Sequence, residues 1–576
     1  MERKFKSLAT GIICIALVAS LGFGFWFYRG EVHFIGINWD TIVYGIPNGP
    51  SDIDPQYAWD EISFSVIDQV CEGLFKYDLS DANFAIISNL ALSGVWSPDE
   101  KEYTVTLRQG VTFHDDAPFN ADAVIFTWER LAWALNMTGT NTDRVTQVAE
   151  LYEFPNGTPI VKNIIKNSDF SVTFVLNDRF APFKALLCFS ASYILSPEST
   201  PATAYIDAYT GTLIGTGPFV YKSYHAEMGI SFGKYYNYWK GNSQIDSISF
   251  AIVPDLHSLS HLALLTGDLD IVDYIDPDLK EFFDLYPYVE MTQLGPSFNI
   301  TYLCMNNYFL NGTWREAISY AINYTEVMEY CTDGHAYRLE SPIPEGMLYS
   351  NWSFEVPTYN LRKAREVMQS MDFGVGWNVT PDGPDEYLWQ GTTFITLNYS
   401  APYGRFGAYD DPIMLMMETN LKKIGIEVER ACMSLIEFTN RLYEREGRHK
   451  NMLQLYALEW GFDYNDPSTY INPLFTNRSA ASNFVQYNGY QAAIEKGRNS
   501  FNLWDNVQLL MEEALRTTNE ELREQYYWRI QEILVEQDRP WAFLYSRKVY
   551  SARASNLKGY IPNTMGKKWF WPCYYN

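Results

Sequence analysis

The strongest constraint on this chain stands at its N-terminus. Arg3, Lys4 and Lys6 precede an almost unbroken apolar run from Leu8 to Tyr28, which Arg29 closes. About 20 apolar residues span a bilayer, whereas the apolar core of a secretory signal stops at roughly 7–15. Basic residues ahead of the run keep that end inside, so the rest of the chain is sent outward. The run predicts a membrane anchor over residues 1–30, with Phe25, Trp26, Phe27 and Tyr28 at the outer interface. A signal peptide cut near Ser20 or Gly22 is the alternative. Cys14 follows Ile12 and Ile13, where a lipid-attachment site wants small residues, and reads as a membrane residue. No later segment reaches spanning length. The expected location is the cell membrane, single-pass, with the bulk of the chain extracellular or periplasmic.

With 576 residues, 47% hydrophobic and 19% charged, the chain can bury large cores. That length suggests roughly three or four domains or lobes and leaves no room for a disordered reading. Lysine and arginine total 43 against 69 acidic residues, a net charge of −26 that excludes nucleic acid as a partner. Aromatic residues reach 16%, which serves either oversized interiors or a site that stacks on organic ligands. Cys71, Cys188, Cys304, Cys331, Cys432 and Cys573 are scattered without C-x-x-C spacing, which argues against zinc and leaves disulfides open. About nine Asn-x-Ser/Thr sequons, Asn136, Asn156 and Asn477 among them, suit a glycosylated outer surface.

Strand and helix patterns alternate along the chain. Tyr103–Leu107, Ser171–Leu176 and Phe219–Tyr224 read as strands, and Phe64–Leu74 reads as a helix. Asn120 is placed to cap a helix that carries Val124, Trp128, Leu131 and Leu135. Thr313 with Glu316, and Thr518 with Glu521, have capping-box spacing. Phe394–Tyr399, Met414–Lys423 and Ile426–Arg430 give strand, helix, strand, which implies a parallel pair with a crossover.

No catalytic constellation emerges. His114-Asp115-Asp116 reads as a solvated turn, with no second histidine near it in sequence. No G-x-S-x-G, H-E-x-x-H or P-loop is present, and Pro218 removes a backbone donor from Gly215-Thr216-Gly217-Pro218 where a phosphate would need one. Asp463 and Asp466 do not follow EF-hand spacing. No enzyme activity, cofactor or metal is expected.

One series of motifs does cohere. It runs through Ile53-Asp54-Pro55, Cys71-Glu72-Gly73-Leu74, Trp96-Ser97-Pro98-Asp99, Gly110-Val111-Thr112-Phe113-His114-Asp115 and Thr127-Trp128-Glu129-Arg130. It continues with Gly215-Thr216-Gly217-Pro218-Phe219, Asn237-Tyr238-Trp239-Lys240-Gly241, Arg315-Glu316-Ala317-Ile318 and Trp460-Gly461-Phe462-Asp463-Tyr464-Asn465-Asp466-Pro467. In order and spacing the chain resembles the extracellular solute-binding protein family 5, the peptide/nickel class that serves ABC importers. It departs from the family pattern at Asp115-Asp116, where Asp-Gly is usual; aspartate tolerates the left-handed backbone of such a turn.

The resemblance implies an α/β fold of periplasmic-binding-protein type II, two lobes with a hinge and an extra third domain, preceded here by one N-terminal transmembrane helix. It implies lobe I over 31–70, 211–293 and 541–576, the extra domain over 71–210, and lobe II over 294–540. The chain's return from the insertion, Gly211 to Pro218, is expected to mark a lobe crossing. A peptide or other small solute would be held between the lobes and passed to ABC permease and ATPase subunits. In peptide-binding members the aspartate at the position of Asp463 pairs with the ligand's α-ammonium; capping of a helix near Pro467 is the other role open to it. Trp460 would flank a side-chain pocket, and Arg405 would meet the ligand carboxylate. An oligosaccharide or metal-chelate ligand, or an anchored surface receptor without transport, is the alternative.

Overall fold

The computed structural model describes residues 40–576, apart from 142–147, 155, 254–255, 274, 404–410, 444–452 and 478–481. The expected anchor over residues 1–30 and Arg405 lie outside the described residues. Among the described residues no helix is long and apolar enough to cross a membrane.

An 11-stranded sheet organises the molecule. Ten of its strands, in chain order, are β1 (Thr41–Ile46), β2 (Phe219–His225), β3 (Gly229–Lys234), β4 (Ser247–Ile252), β5 (Ile271–Val272), β6 (Val289–Met305), β7 (Ile395–Pro402), β8 (Ile426–Met433), β9 (Leu455–Trp460) and β10 (Trp541–Ala554). They lie in the order β8-β7-β9-β6-β10-β5-β1-β4-β3-β2, and Ala336–Arg338 pairs with β10. β7 and β8 are parallel, and the helix Pro412–Lys422 connects them as the strand–helix–strand pattern predicts.

β6 and β10 hold the two halves of the sheet together. Val289–Gln293 pairs with Tyr550–Ala554 on the side of β5, and Ile300–Cys304 pairs with Trp541–Ser546 on the side of β9. Between these stretches the register shifts around Pro296 and Ile300. Pro296 has no N–H to give the ladder, so the long antiparallel pair is interrupted at its middle. The result is a two-lobed α/β molecule whose lobes are joined by two strands, each broken in regularity at the same level.

The segment Gly211–Pro218, expected to mark a lobe crossing, lies beside Val70 and also meets His114, whose N–H donates to Gly215 O at 3.0 Å. Gly217 N donates to Val70 O at 2.9 Å, and a Cβ on Gly215 would lie 2.1 Å from that same carbonyl. The returning chain thus presses against the point from which the insertion departs.

The inserted region carries its own four-stranded antiparallel sheet, Ala91–Trp96, Glu102–Leu107, Ser171–Leu176 and Val161–Ser168 in spatial order. Its helix Ala121–Ala134 is capped by Asn120, whose side chain accepts from the backbone of Asp122 and Ala123. Asp116 takes the left-handed φ of +65° that its turn was expected to need. The apolar core here does not stop at the insertion. Leu74 through Ile194 form one cluster with Phe298–Cys304 and with residues of 433–543, and Phe84 meets Phe298 edge-on at 5.8 Å. The residues around this four-stranded sheet thus share one core with residues of 298–304 and 433–543.

The motifs named above converge on buried polar hubs. Glu72 accepts from Thr216 Oγ1 at 3.0 Å, Tyr238 OH at 2.9 Å and Trp239 Nε1 at 2.8 Å, with Lys240 Nζ at 3.5 Å. Asp54 receives the guanidinium of Arg130, both side chains fully buried. Arg315 donates to the carbonyls of Leu310, Asp538 and Arg539. Two expectations need correction. The N-caps are Asn311 and Asn519, not Thr313 and Thr518, because an asparagine stands nearer each helix start and its Oδ1 takes the free backbone donors. The first helix is Glu61–Val70, capped by Asp60, and the chain beyond it is extended. All six cysteines among the described residues are unpaired, so no disulfide forms there.

Candidate functional site

A cavity of about 850 Å³ sits over the interrupted middle of β6 and β10. Leu294, Ser297 and Asn299 of β6 and Arg547, Lys548 and Val549 of β10 line it from the sheet. Trp59, Phe64, Asp68 and Lys567 face it from the lobe of β1, and Cys331, Trp460, Phe462 and Asp463 from the other. A volume of this size lies within the range of about 300–1,000 Å³ typical of small-molecule sites. Ser190 Oγ is buried in the wall without a hydrogen-bond partner. Burial pushes the Cys331 thiol up to about 12.

The charge of the lining is strongly negative. Glu61, Asp68, Asp273, Asp276, Asp278 and Asp333, with Glu459 and Asp463, stand against Arg547, Lys548, Lys567 and Lys568. Two of these cations are already engaged: Lys567 with Asp68 at 3.1 Å, and Lys568 with Asp273 at 2.8 Å and Glu61 at 3.5 Å. Lys548 Nζ donates to Gly334 O at 3.1 Å. Arg547 is exposed, lies 5.7 Å from the Tyr545 ring and has no carboxylate partner among the described residues.

The loop after β9 positions Asp463. Its neighbour Asp466 takes both terminal nitrogens of buried Arg523, at 2.6 and 2.9 Å, and also accepts from Ser468 N at 2.9 Å just ahead of the helix Ser468–Phe475, whose N-cap position is Pro467. Among the described residues no side chain caps that helix, so the capping role open to Asp463 is not taken up. Asn465 bolts the loop to residues 77–83, donating its backbone N–H to the Tyr77 hydroxyl oxygen at 2.9 Å and its side-chain amide to Asn83 O at 3.0 Å. Trp460 is held by a gap in the helix. Pro473 cannot donate to the carbonyl four residues back, and Trp460 Nε1 donates to that carbonyl, Thr469 O, at 3.0 Å. Among the described residues Asp463 is left with no hydrogen bond or ion pair. Burial first, then the neighbouring Glu150 carboxylate, pushes its carboxyl up to about 8.

The structure thus brings Trp460 and Asp463 together in the cavity wall, while Arg405 lies outside the described residues. Arg547 escaped the sequence reading; its only signal there is a cation that follows the apolar run Trp541–Tyr545. Among the described residues no group of three His, Cys, Asp or Glu side chains could hold a metal ion.

Comparison with known proteins agrees with this architecture. The family described as bacterial extracellular solute-binding proteins, family 5 Middle, matches residues 85–482. The dipeptide-binding protein of Escherichia coli strain K12 is 25% identical over 551 residues, covering 92% of this chain and 94% of its own. A glutathione-binding protein of Pectobacterium atrosepticum is 25% identical over 526 residues, covering 89% and 90%. Among solved structures, a periplasmic binding protein of Helicobacter pylori in complex with peptide STSA superposes with a TM-score of 0.71 at 22% identity, covering 93% of this chain and 98% of its own. With a matching two-lobed fold, a cavity at the lobe junction and a family match over most of its length, the chain belongs to the bacterial extracellular solute-binding proteins, family 5.

Proposed function

We propose that the chain captures short peptides outside a membrane, in the cavity over β6 and β10, and delivers them to the permease of an ABC importer. One observation carries the ligand class: the Asp463 carboxyl stands in the cavity wall with no cationic partner among the described residues, in surroundings that disfavour its charge. A ligand ammonium supplies the missing partner, and a charge-assisted hydrogen bond in such surroundings is far stronger than at a surface. Trp460 would flank the first side chain, and Arg405 or, from the sheet, Arg547 would meet the ligand carboxylate. The excess of carboxylates in the lining repels anionic metal chelates. Likeness to a dipeptide-binding and a peptide-loaded protein supports the same class. Hinge closure would be taken up where β6 and β10 lose register.

The lobe limits that fit this reading are 31–70, 211–293 and 541–576 for lobe I, 71–210 for the extra domain and 294–540 for lobe II. The contact of Gly215 and Gly217 with Val70 supports the insertion. The apolar run Leu8–Tyr28 would tether the protein to the membrane.

Calorimetry of the full-length chain in detergent, with a free and an N-acetylated tripeptide, tests the ammonium site. Acetylation is expected to weaken binding by about 30-fold or more, the range of about 2–5 kcal/mol for removing one partner of a buried charge pair. Asp463→Asn is expected to weaken the free peptide by a similar factor, and the two losses do not add, since both delete one contact. Equal affinity for the free and acetylated peptides would refute the reading.

A further inference from the structure

Beside the main cavity lies a second chamber of about 220 Å³, between residues of 150–180 and residues of 460–476. Trp59, Trp460 and Asp463 line both spaces and form their common wall. The rest of the chamber divides into an apolar side and an acceptor side. Phe154 and Phe180, edge to face at 5.8 Å, make the apolar side.

The acceptor side is short of donors. Asn472 Oδ1 is shut off from solvent and has no hydrogen-bond partner. Burial raises the Glu153 carboxyl above its usual range. Among the described residues no lysine, arginine or histidine lines the chamber. A buried acceptor left unpaired carries its full desolvation penalty, so the chamber is built around donors it does not itself contain.

We propose that this chamber receives the positively charged side chain of a peptide's first residue, so that the protein selects peptides beginning with lysine or arginine. The inference rests on the reading that the ligand's α-ammonium sits on Asp463, because that contact brings the first side chain to the common wall. A water takes about 30 Å³ of liquid, so the chamber holds about seven waters, or one long side chain with a few waters beside it. Ammonium and guanidinium groups carry only donors, the complement of Asn472 Oδ1 and Glu153. Their methylene stems pack on Phe154 and Phe180. A norleucyl side chain of similar length leaves the acceptors unmet, and a glutamyl side chain adds a like charge.

The test is calorimetry on the full-length chain in detergent with Lys-Ala-Ala, norleucyl-Ala-Ala, Glu-Ala-Ala and Ala-Ala-Ala. The expected result is Lys-Ala-Ala tighter than the norleucyl peptide by about tenfold or more, with Glu-Ala-Ala weakest. In Glu153→Gln the lysyl-to-norleucyl ratio is expected to fall to about threefold or less. A ratio near one in the unmodified protein overturns the proposal without recourse to any variant. An undiminished ratio in Glu153→Gln, in protein whose thermal unfolding matches the original, overturns it too. If acetylated Ala-Ala-Ala binds as well as the free form, the ammonium reading and the chamber fall together. If acetylation weakens binding but the first side chain makes no difference, only the chamber falls.

Discussion

Asp463 and Asp466 stand three residues apart in one loop and have opposite tasks. Asp466 is spent on structure, locked to Arg523 and to the start of a helix, while Asp463 is kept without a partner among the described residues. Both acids are visible in the sequence, but their division of labour is not, because Arg523 lies 57 residues further on. The consequence is a pH dependence with a definite sign. An unfolded aspartate ionises near 3.8 and the folded Asp463 near about 8, so between these values the folded chain holds a proton that the unfolded chain has released. Stability of the ligand-free protein therefore falls as pH rises from about 4 to about 8. Asp463→Asn is expected to remove that decline and to stabilise the ligand-free protein at pH 8 by about 1–3 kcal/mol, read from urea unfolding at several pH values. Binding shows the same linkage. At pH 7 an amine ligand that restores the charge of Asp463 displaces about one proton, seen in calorimetry as an enthalpy that depends on the buffer. No buffer dependence would mean that Asp463 keeps its proton in the complex.

At the scale of elements, the reading was best where one stretch of chain decides the outcome. The parallel pair β7–β8 and the Asn120 cap depend on local periodicity and on one side chain at a helix start, and both were legible. The capping boxes misled because Thr313 and Thr518 have the right spacing while Asn311 and Asn519 have the better oxygen in the better place. Asn311→Ala is expected to cost about 1 kcal/mol and Thr313→Ala a few tenths at most, measured as the shift in urea midpoint. Equal losses would return the cap to Thr313. The family motifs were conspicuous for a reason of their own: Glu72, Arg130 and Arg315 each satisfy partners on distant segments, so they hold the frame and not the ligand. The interruption of β6 and β10 was not legible, since register belongs to a pair of strands 236 or more residues apart, as Thr301 and Tyr545 of the crossing show against their numbering of 301 and 545.

At the scale of the whole molecule, the resemblance gave the two lobes, and the cavity had to be seen. Its lining comes from stretches near residues 60, 275, 298, 332, 461, 548 and 566, which no window of sequence contains. The core that the four-stranded sheet shares with residues of 298–304 was likewise hidden, because Phe84 and Phe298 meet across more than two hundred residues. Cys331 is partly buried in the cavity lining, Cys432 is partly buried elsewhere, and Cys71, Cys188, Cys304 and Cys573 are buried. Because its thiol titrates at about 12, Cys331 should react slowly with maleimide and about tenfold faster for each unit of added pH. A bound peptide that closes the lobes is expected to slow Cys331 by about tenfold or more while Cys432 keeps its rate, as followed by peptide mapping; equal protection of both, or of neither, would argue against closure over this wall. The alkylation rate of one native thiol then serves as a clock for lobe closure, with no dye and no engineered label.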